Sequence, residues 1–351
     1  MQFLKILFFV VIFGYFLIAG LCSGVQAEEN QTLEDRVPKQ ILEEESKFLT
    51  LTSENDYFGG GTDRQYTNGM RLTYYDMGGD PPLVGVFFDQ FVPTFDVNET
   101  TSVYYSLGHN LYTPDDITQT TPDLNDRPYA GFLYLSAGMT SITGNHLDDM
   151  EVTFGVVGPW AFGEDVQKKF HATFGFDEPL GWDYQLENEP GLILSWQRRW
   201  PEAYSSEFLD MFYFRISPYI GTSLGNVYTY AASGLTMQLT PKQYKWQSEP
   251  LRVRPAIPGN GFFAVPENEI AWSLFAGLEG RAMGRNIFLD GNTFRDSPSV
   301  DKRYFVADAN AGVAVTYGRM QISYSLNWRS KEFKTQTDES LFGAVSVGYR
   351  F

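Results

Sequence analysis

The stretch Leu49-Thr-Leu-Thr-Ser-Glu-Asn-Asp56 leads through Gly59-Gly-Gly-Thr-Asp-Arg-Gln-Tyr-Thr-Asn-Gly69 into Met70-Arg-Leu-Thr-Tyr-Tyr75. Two runs that favour extended backbone flank a polar, glycine-rich connection, which is typical of two strands joined as a hairpin. Because the polar residues gather where the first strand ends and the second begins, Asn55, Asp56 and Thr67 are expected to meet at one end of that hairpin.

The rest of the chain repeats this pattern. Stretches of roughly ten residues alternate between apolar and polar side chains and are separated by turn signals. Residues 163–172 differ, because they are helix formers without alternation, and we predict a short helix there inside a long loop. The alternating stretches predict about twelve strands, at residues 47–56, 65–77, 101–111, 129–141, 147–158, 188–200, 208–222, 226–239, 267–282, 303–317, 319–333 and 340–351.

These strands predict an all-β fold, a transmembrane antiparallel β-barrel over residues 47–351 with a short helix in an extracellular loop. An even strand count suits an outer-membrane barrel, whose strands are apolar on every second residue only. Phe351 ends an amphipathic strand and resembles the signal by which such barrels engage the barrel-assembly machinery. A secreted, soluble β-sandwich is the alternative fold.

The N-terminus reads as a secretory signal peptide over residues 1–27. Lys5 precedes an apolar run, and Val25-Gln-Ala27 fits a small-residue cleavage site, although a retained membrane anchor is the alternative. Cleavage removes Cys22, the only cysteine, so disulfides are expected to play no part. Residues 28–46 are predicted to be a loose polar leader. The net charge of −17 argues against nucleic acid as a partner.

Strand counting brings the candidate functional residues to one end of the barrel. If the N-terminus is periplasmic, the connections after odd-numbered strands are extracellular. His171 is then the one histidine in a long extracellular loop, while His109 lies near a strand end and His146 in a periplasmic turn. Three polar groups share the extracellular rim: Asn55 with Asp56 and Thr67; Asp126 with Arg127; and His171 with Asp177 and Glu178.

A neutral histidine beside a carboxylate-bound cation suffices for hydrolysis of an ester by water. The imidazole deprotonates the water, and a hard cation such as Ca²⁺ takes oxygen ligands and stabilises the oxyanion. Asp56 with Asp177 or Glu178 are the candidate ligands, whereas the alternative for His171 is an ordinary exposed loop residue. For Asp126 and Arg127 a structural ion pair is favoured over a catalytic role. The chain has no zinc pattern and no phosphate-binding loop.

Four blocks carry a family likeness: Ser53-Glu-Asn-Asp56; Thr62-Asp-Arg-Gln-Tyr-Thr-Asn-Gly69; Asn125-Asp-Arg-Pro-Tyr-Ala-Gly131; and Gly155-Val-Val-Gly-Pro159 with Asp165-Val-Gln-Lys-Lys-Phe-His171, Gly181-Trp182 and Gln185-Leu-Glu-Asn188. With these blocks, residues 47–351 resemble the outer-membrane lipid A 3′-O-deacylase family. The resemblance implies a twelve-stranded barrel that removes the 3′-acyloxyacyl chain of lipid A in a calcium-dependent reaction. Its mechanism is similar to that of secreted phospholipase A2.

The resemblance also implies site residues. Asn55 and Asp56 match the family's Asn-Asp pair, Thr67 its active-site hydroxyl and His171 its base. The family's calcium-site glutamate falls on Asp177, with Glu178 beside it. A lysine of the family is replaced by Gln119, which puts the substrate's identity in doubt.

The expected substrate is lipid A or lipopolysaccharide, with other outer-membrane lipids as partners. The site is expected at the outer membrane, facing the outer leaflet. The alternatives are a non-catalytic barrel, such as a porin or structural protein, and an outer-membrane phospholipase.

Overall fold

The computed structural model describes residues 32–36, 47–59, 65–76, 95–244, 253 and 269–351. The predicted signal peptide and most of the predicted leader lie outside these residues. In the described part of the chain, single-turn 3₁₀ helices span Pro159–Ala161, Trp182–Tyr184 and Lys242–Tyr244. The α-helices are α1 Leu33–Arg36, α2 Gly163–Phe174 and α3 Ile287–Asp290, and the strands are β1 Lys47–Asn55, β2 Gln65–Asp76, β3 Ser102–Thr113, β4 Ala130–Thr143, β5 His146–Val157, β6 Glu189–Arg199, β7 Tyr204–Phe208, β8 Phe212–Gly225, β9 Tyr228–Pro241, β10 Ile270–Asn286, β11 Phe305–Tyr317, β12 Met320–Arg329 and β13 Ser340–Arg350.

The strands close into an antiparallel barrel. Apart from β6 and β7, which both lie beside β8, each strand pairs with its neighbours in sequence, and β1 pairs with β13 to close the ring. The second half of β8 pairs with β6 and its first half with β7, so β6 and β7 share one position. The thirteen described strands therefore make a twelve-stranded barrel, which confirms the predicted fold class.

The division of one barrel position between β6 and β7 changes one predicted strand boundary. We expected a strand to start at residue 208, but Phe208 ends β7 and the next strand begins at Phe212. Leu209 and Asp210 adopt φ values of 55° and 52°. This left-handed backbone is uncommon for residues with a side chain, and it turns the chain between β7 and β8.

The barrel is apolar outside and polar inside. Leu51, Leu72 and Leu107 are exposed, whereas charged side chains of neighbouring positions are buried. Arg71 of β2 and Glu151 of β5 are each 1% exposed and form an ion pair of 2.6 Å across the interior. This arrangement, the reverse of a soluble sandwich, is expected of a barrel in a membrane.

No helix in the described part of the chain is long and apolar enough to span a membrane. The short helix α1 instead docks on the turn between β4 and β5. The Leu33 amide donates to Asn145 Oδ1 at 2.9 Å, and the Gly144 amide donates to Glu34 Oε2 at 2.9 Å. These hydrogen bonds hold this part of the predicted leader against the turn.

Candidate active site on the outside of the barrel

Helix α2 lies against the outer surface of the barrel where β3 ends and β4 begins. His109 shares its strand face with the exposed Tyr105 and Leu107, and its Nε2 lies 2.8 Å from the carbonyl oxygen of Ala161, two residues before α2. A Cβ at Gly131 of β4 would lie 3.2 Å from the Ala161 Cβ. The predicted helix is thus confirmed, and its packing places the loop on the lipid side of the wall.

Trp182 fixes this helix to the wall. Its ring is buried with Leu111, Ile117 and Tyr129, and its Nε1 donates to Gln167 Oε1 of α2 at 2.8 Å. A Cβ at Gly163 would lie 2.6 Å from the Trp182 ring. Since a side chain at Gly163 has no room, helix and tryptophan define a single docking position.

Substituting Gly163 with valine is therefore expected to push α2 from the wall and to lower activity without unfolding the barrel. The added side chain collides with a ring that is packed on all sides. Gly280→Ala is the matched control, because no atom lies within 4 Å of its added Cβ. The measurement is the ester hydrolysis expected from the sequence, alongside barrel content by circular dichroism. Wild-type activity in Gly163→Val would contradict this docking role.

His171 is buried on the side of α2 that faces the barrel. It follows Gly163 and Gln167 at intervals of four residues, which places all three on one side of the helix. Its Nδ1 lies 2.5 Å from the carbonyl oxygen of Asp177. A carbonyl oxygen only accepts hydrogen bonds, so Nδ1 is assigned the proton and Nε2 carries the lone pair of the neutral ring. This tautomer is the one that a general base acting through Nε2 requires.

The end of the first hairpin reaches the same region. Asn55 points outward, in phase with exposed Leu49 and Leu51, yet it is buried. Its Oδ1 accepts the Tyr57 amide at 2.8 Å. The Tyr57 ring lies 5.2 Å from Phe176, whose ring is 5.7 Å from His171. These aromatic contacts bring the predicted Asn-Asp pair and the predicted base to one place.

The structure describes the remaining candidate residues to different extents. Thr67 lies where the register between β2 and β3 skips one residue, and its side chain lies outside what the structure describes. Asp56 is buried, whereas Asp177 and Glu178 are exposed. Among the described residues there is no group of three or more His, Cys, Asp or Glu placed to hold a metal ion. The donors fit a hard cation in kind, since carboxylate and carbonyl oxygens are what Ca²⁺ binds.

A family model described as "Outer membrane protein LpxR" matches residues 11–351. The chain belongs to the LpxR family. This confirms the resemblance drawn from the sequence blocks and places the protein in the outer membrane. The structure of LpxR from Salmonella typhimurium is similar, with a TM-score of 0.69 and 21% identity over 87% of this chain and 100% of that one.

A second solved structure, the beta domain of the Bordetella autotransporter BrkA, has a TM-score of 0.41 and 9% identity over 87% of this chain and 99% of that one. No curated protein matches the chain.

In this LpxR family member, Asp126 and Arg127 do not form the predicted ion pair with each other. Arg127 is fully buried and its Nη1 lies 3.5 Å from Glu332 Oε2. Asp126 instead accepts the backbone amides of Asp115 and Arg127 at 2.6 and 2.7 Å. Burial raises the pKa of the Asp126 carboxyl above its usual value. Asp126 thus holds its own loop together, and Arg127 joins that loop to the one after β12, so the structural interpretation is retained with different partners.

Several residues that build the site were given no role in the sequence analysis. Gln167 and Trp182 position the helix that carries His171, and Tyr57 and Phe176 join that helix to the first hairpin. Gln167 stands four residues before His171, a spacing that could have identified it as a neighbour on the same helix face. Gln119 is exposed and its Nε2 donates to Asp116 Oδ2 at 2.9 Å, so it is held within its own loop.

Proposed function

We propose that this LpxR-family protein is an esterase that removes the 3′-acyloxyacyl chain of lipid A, with His171 as general base. The observation that carries the proposal is the buried His171, whose Nδ1 donates to the Asp177 carbonyl oxygen. That bond orients the ring and assigns the proton to Nδ1, so that Nε2 carries the lone pair that a base uses. Family membership and the convergence of Asn55 on the same place support the substrate class.

In the proposed reaction Nε2 of His171 takes a proton from water while the water oxygen attacks the ester carbonyl carbon. The tetrahedral intermediate collapses with cleavage of the bond to the sugar oxygen, which receives the proton from the imidazolium. The products are the free fatty acid and the 3′-hydroxyl lipid. Because Asn55 Oδ1 is engaged by the Tyr57 amide, its NH₂ group is the part left to donate to an oxygen of the ester. The hydroxyl of Thr67 is assigned to positioning the same ester.

Calcium belongs to the proposal as the expected cofactor. Asp56 together with Asp177 or Glu178 would hold it, and when bound it would supply the positive charge that stabilises the developing oxyanion. All these donors are oxygens, as the ion requires.

We expect activity to disappear in EDTA and to return with Ca²⁺, because the oxyanion then regains its positive partner. Asp56→Asn should raise the calcium concentration needed for half-maximal activity, whereas Asp183→Asn, which removes an acid from the loop that carries His171, should leave it unchanged. The measurement is activity across a calcium titration for the three proteins. Full activity in EDTA would remove calcium from the mechanism.

The site is proposed to face the outer leaflet, with lipopolysaccharide and other outer-membrane lipids as its neighbours. Helix α2 packs on the outer face of the barrel wall, at the end opposite the turn that binds α1. The C-terminal strand, with Tyr349 and Phe351 exposed, is proposed to engage the barrel-assembly machinery.

The alternative of a porin is disfavoured by the interior. Arg71 and Glu151 bridge β2 and β5, and Arg281 and Arg329 share Asp308 across β10, β11 and β12. Paired charges that fill a lumen oppose free passage of ions. A phospholipase would use the same base and the same ester chemistry, so the substrate test below separates it from the lipid A reading.

The test is mass spectrometry of lipid A from cells that express the protein or its His171→Ala variant, with calcium or with EDTA. A mass loss equal to the 3′-acyl group, seen for the wild type with calcium alone, is the expected result. Unchanged lipid A with properly inserted wild-type protein would overturn the lipid A assignment. Release of fatty acid from phospholipid in the same assay would then identify a phospholipase.

A further inference from the structure

A row of apolar side chains runs along helix α2 from Phe162, just before its first residue, beside the side that faces the barrel. Phe162, Val166 and Phe174 are 58%, 39% and 62% exposed, and the half-buried Phe170 completes the spacing of four residues. One position further on stand Gly163, Gln167 and His171, which are buried against the wall. Successive positions differ by about 100° around a helix, so the exposed row runs directly beside the row that carries the proposed base.

This row, here termed the outer face of α2, continues the apolar exterior of the barrel. His109 contacts Ala161 just before the helix, and exposed Leu107 is two positions lower on the same side of β3. Two strand residues span roughly 7 Å. Leu135, which pairs with Leu107, and the neighbouring Phe154 are also exposed. The helix therefore begins about two strand residues from the apolar surface that faces lipid in an outer-membrane protein.

The outer face of α2 also leads to His171. The Phe170 and Phe174 rings lie 4.7 Å apart, and the Phe174 and Phe176 rings 6.3 Å apart. The Phe176 ring meets the imidazole of His171 edge-on at 5.7 Å. Apolar surface is thus continuous from the barrel wall, along the helix, to the imidazole of His171.

We propose that the outer face of α2 is a lipid-binding surface that lies in the acyl-chain boundary of the outer leaflet and delivers an acyl chain to His171. Helices that lie in this boundary have one apolar and one polar side, and exposed aromatic side chains such as Trp160 concentrate at the same depth. The occupant is the acyl chain of an outer-leaflet lipid. Delivery to His171 rests on the proposed esterase function, whereas lipid contact does not.

The experiment for lipid contact attaches a label to one introduced cysteine at a time, which is simple because the chain has a single native cysteine, Cys22. In a Cys22→Ser background, a fluorophore is attached at Val166→Cys, at Asp165→Cys on the same helix, and at Leu107→Cys on the barrel wall. The proteins are placed in phosphatidylcholine vesicles that carry nitroxide on the acyl chains. We expect the label at 166 to be quenched several-fold more than that at 165, and similarly to that at 107. Equal, weak quenching at 165 and 166 with free access of aqueous iodide to both would overturn the proposal.

Delivery is tested by Val166→Asp beside Val166→Ala. We expect Val166→Asp to lower hydrolysis of lipid A in vesicles several-fold, mainly through the dependence on lipid concentration, and Val166→Ala to stay near wild type. If quenching at 166 is strong but Val166→Asp hydrolyses vesicle lipid A normally, the face anchors the helix and the delivery step is wrong. Failure of the esterase proposal is distinguishable, because the wild type would then be inactive while the quenching pattern persists.

Discussion

The His171→Ala variant is expected to lose hydrolysis of lipid A by about 10²–10⁴-fold, the usual contribution of a positioned general base. The imidazole is 3% exposed and its Nδ1 is bonded to the Asp177 carbonyl oxygen. Without it, the water at the site loses its proton acceptor and α2 loses one bond to the segment that follows it. The measurement is the rate of fatty-acid release from purified lipid A by the protein in detergent micelles.

His171→Asn separates these two losses. Asparagine retains an NH₂ group that can donate to the Asp177 carbonyl but offers no base of comparable strength. We therefore expect His171→Asn to be as inactive as His171→Ala while keeping its thermal stability. His146→Ala is the control, because His146 lies at the opposite end of the barrel beside Asp148, at 3.2 Å. Substantial activity in His171→Asn would assign the base to another residue.

The strands were predictable because their pattern is local. In an outer-membrane barrel each strand alternates between lipid and lumen, so Leu49 and Leu51 identify their strand without knowledge of its neighbours. The break between β6 and β7 was missed because it depends on a turn, at Leu209 and Asp210, whose left-handed backbone is not signalled by glycine. Its consequence was limited to strand boundaries, since β7 keeps the sheet position of β6.

The site was predictable in part. Strand counting placed Asn55 and His171 at one end of the barrel, but it did not show that both lie on the outer surface. That position follows from non-local packing, such as Trp182 against Gln167 and Tyr57 against Phe176. The partner of Arg127 is 205 residues away in sequence, at Glu332, so the nearer Asp126 was the natural but wrong assignment. Contacts between distant loops leave no periodic trace in a single sequence.

Removing one partner of the interior ion pair should have the largest effect on stability. Arg71 and Glu151 are each 1% exposed, with an Nη2–Oε2 distance of 2.6 Å. Arg71 Nη2 also donates to Ser106 Oγ at 2.9 Å, and Thr153 Oγ1 donates to Glu151 Oε1 at 2.8 Å. Glu151→Ala leaves a buried guanidinium without its carboxylate, so we expect the free energy of unfolding to fall by about 3–5 kcal/mol. Denaturant titration followed by tryptophan fluorescence measures this change.

The double variant Arg71→Met/Glu151→Leu tests whether the predicted fall in the free energy of unfolding comes from leaving Arg71 buried without its carboxylate. With both charges removed, no uncompensated ion is left in the interior, and we expect most of the lost stability to return. Lys334→Ala is the exposed control: its side chain also forms a direct ion pair, with Asp301 at 3.0 Å, but the two side chains are 64% and 78% exposed. Water already solvates those charges, so the variant should unfold like the wild type. If Glu151→Ala also unfolds like the wild type, water reaches Arg71 in the lumen, and the case against a channel loses its main support.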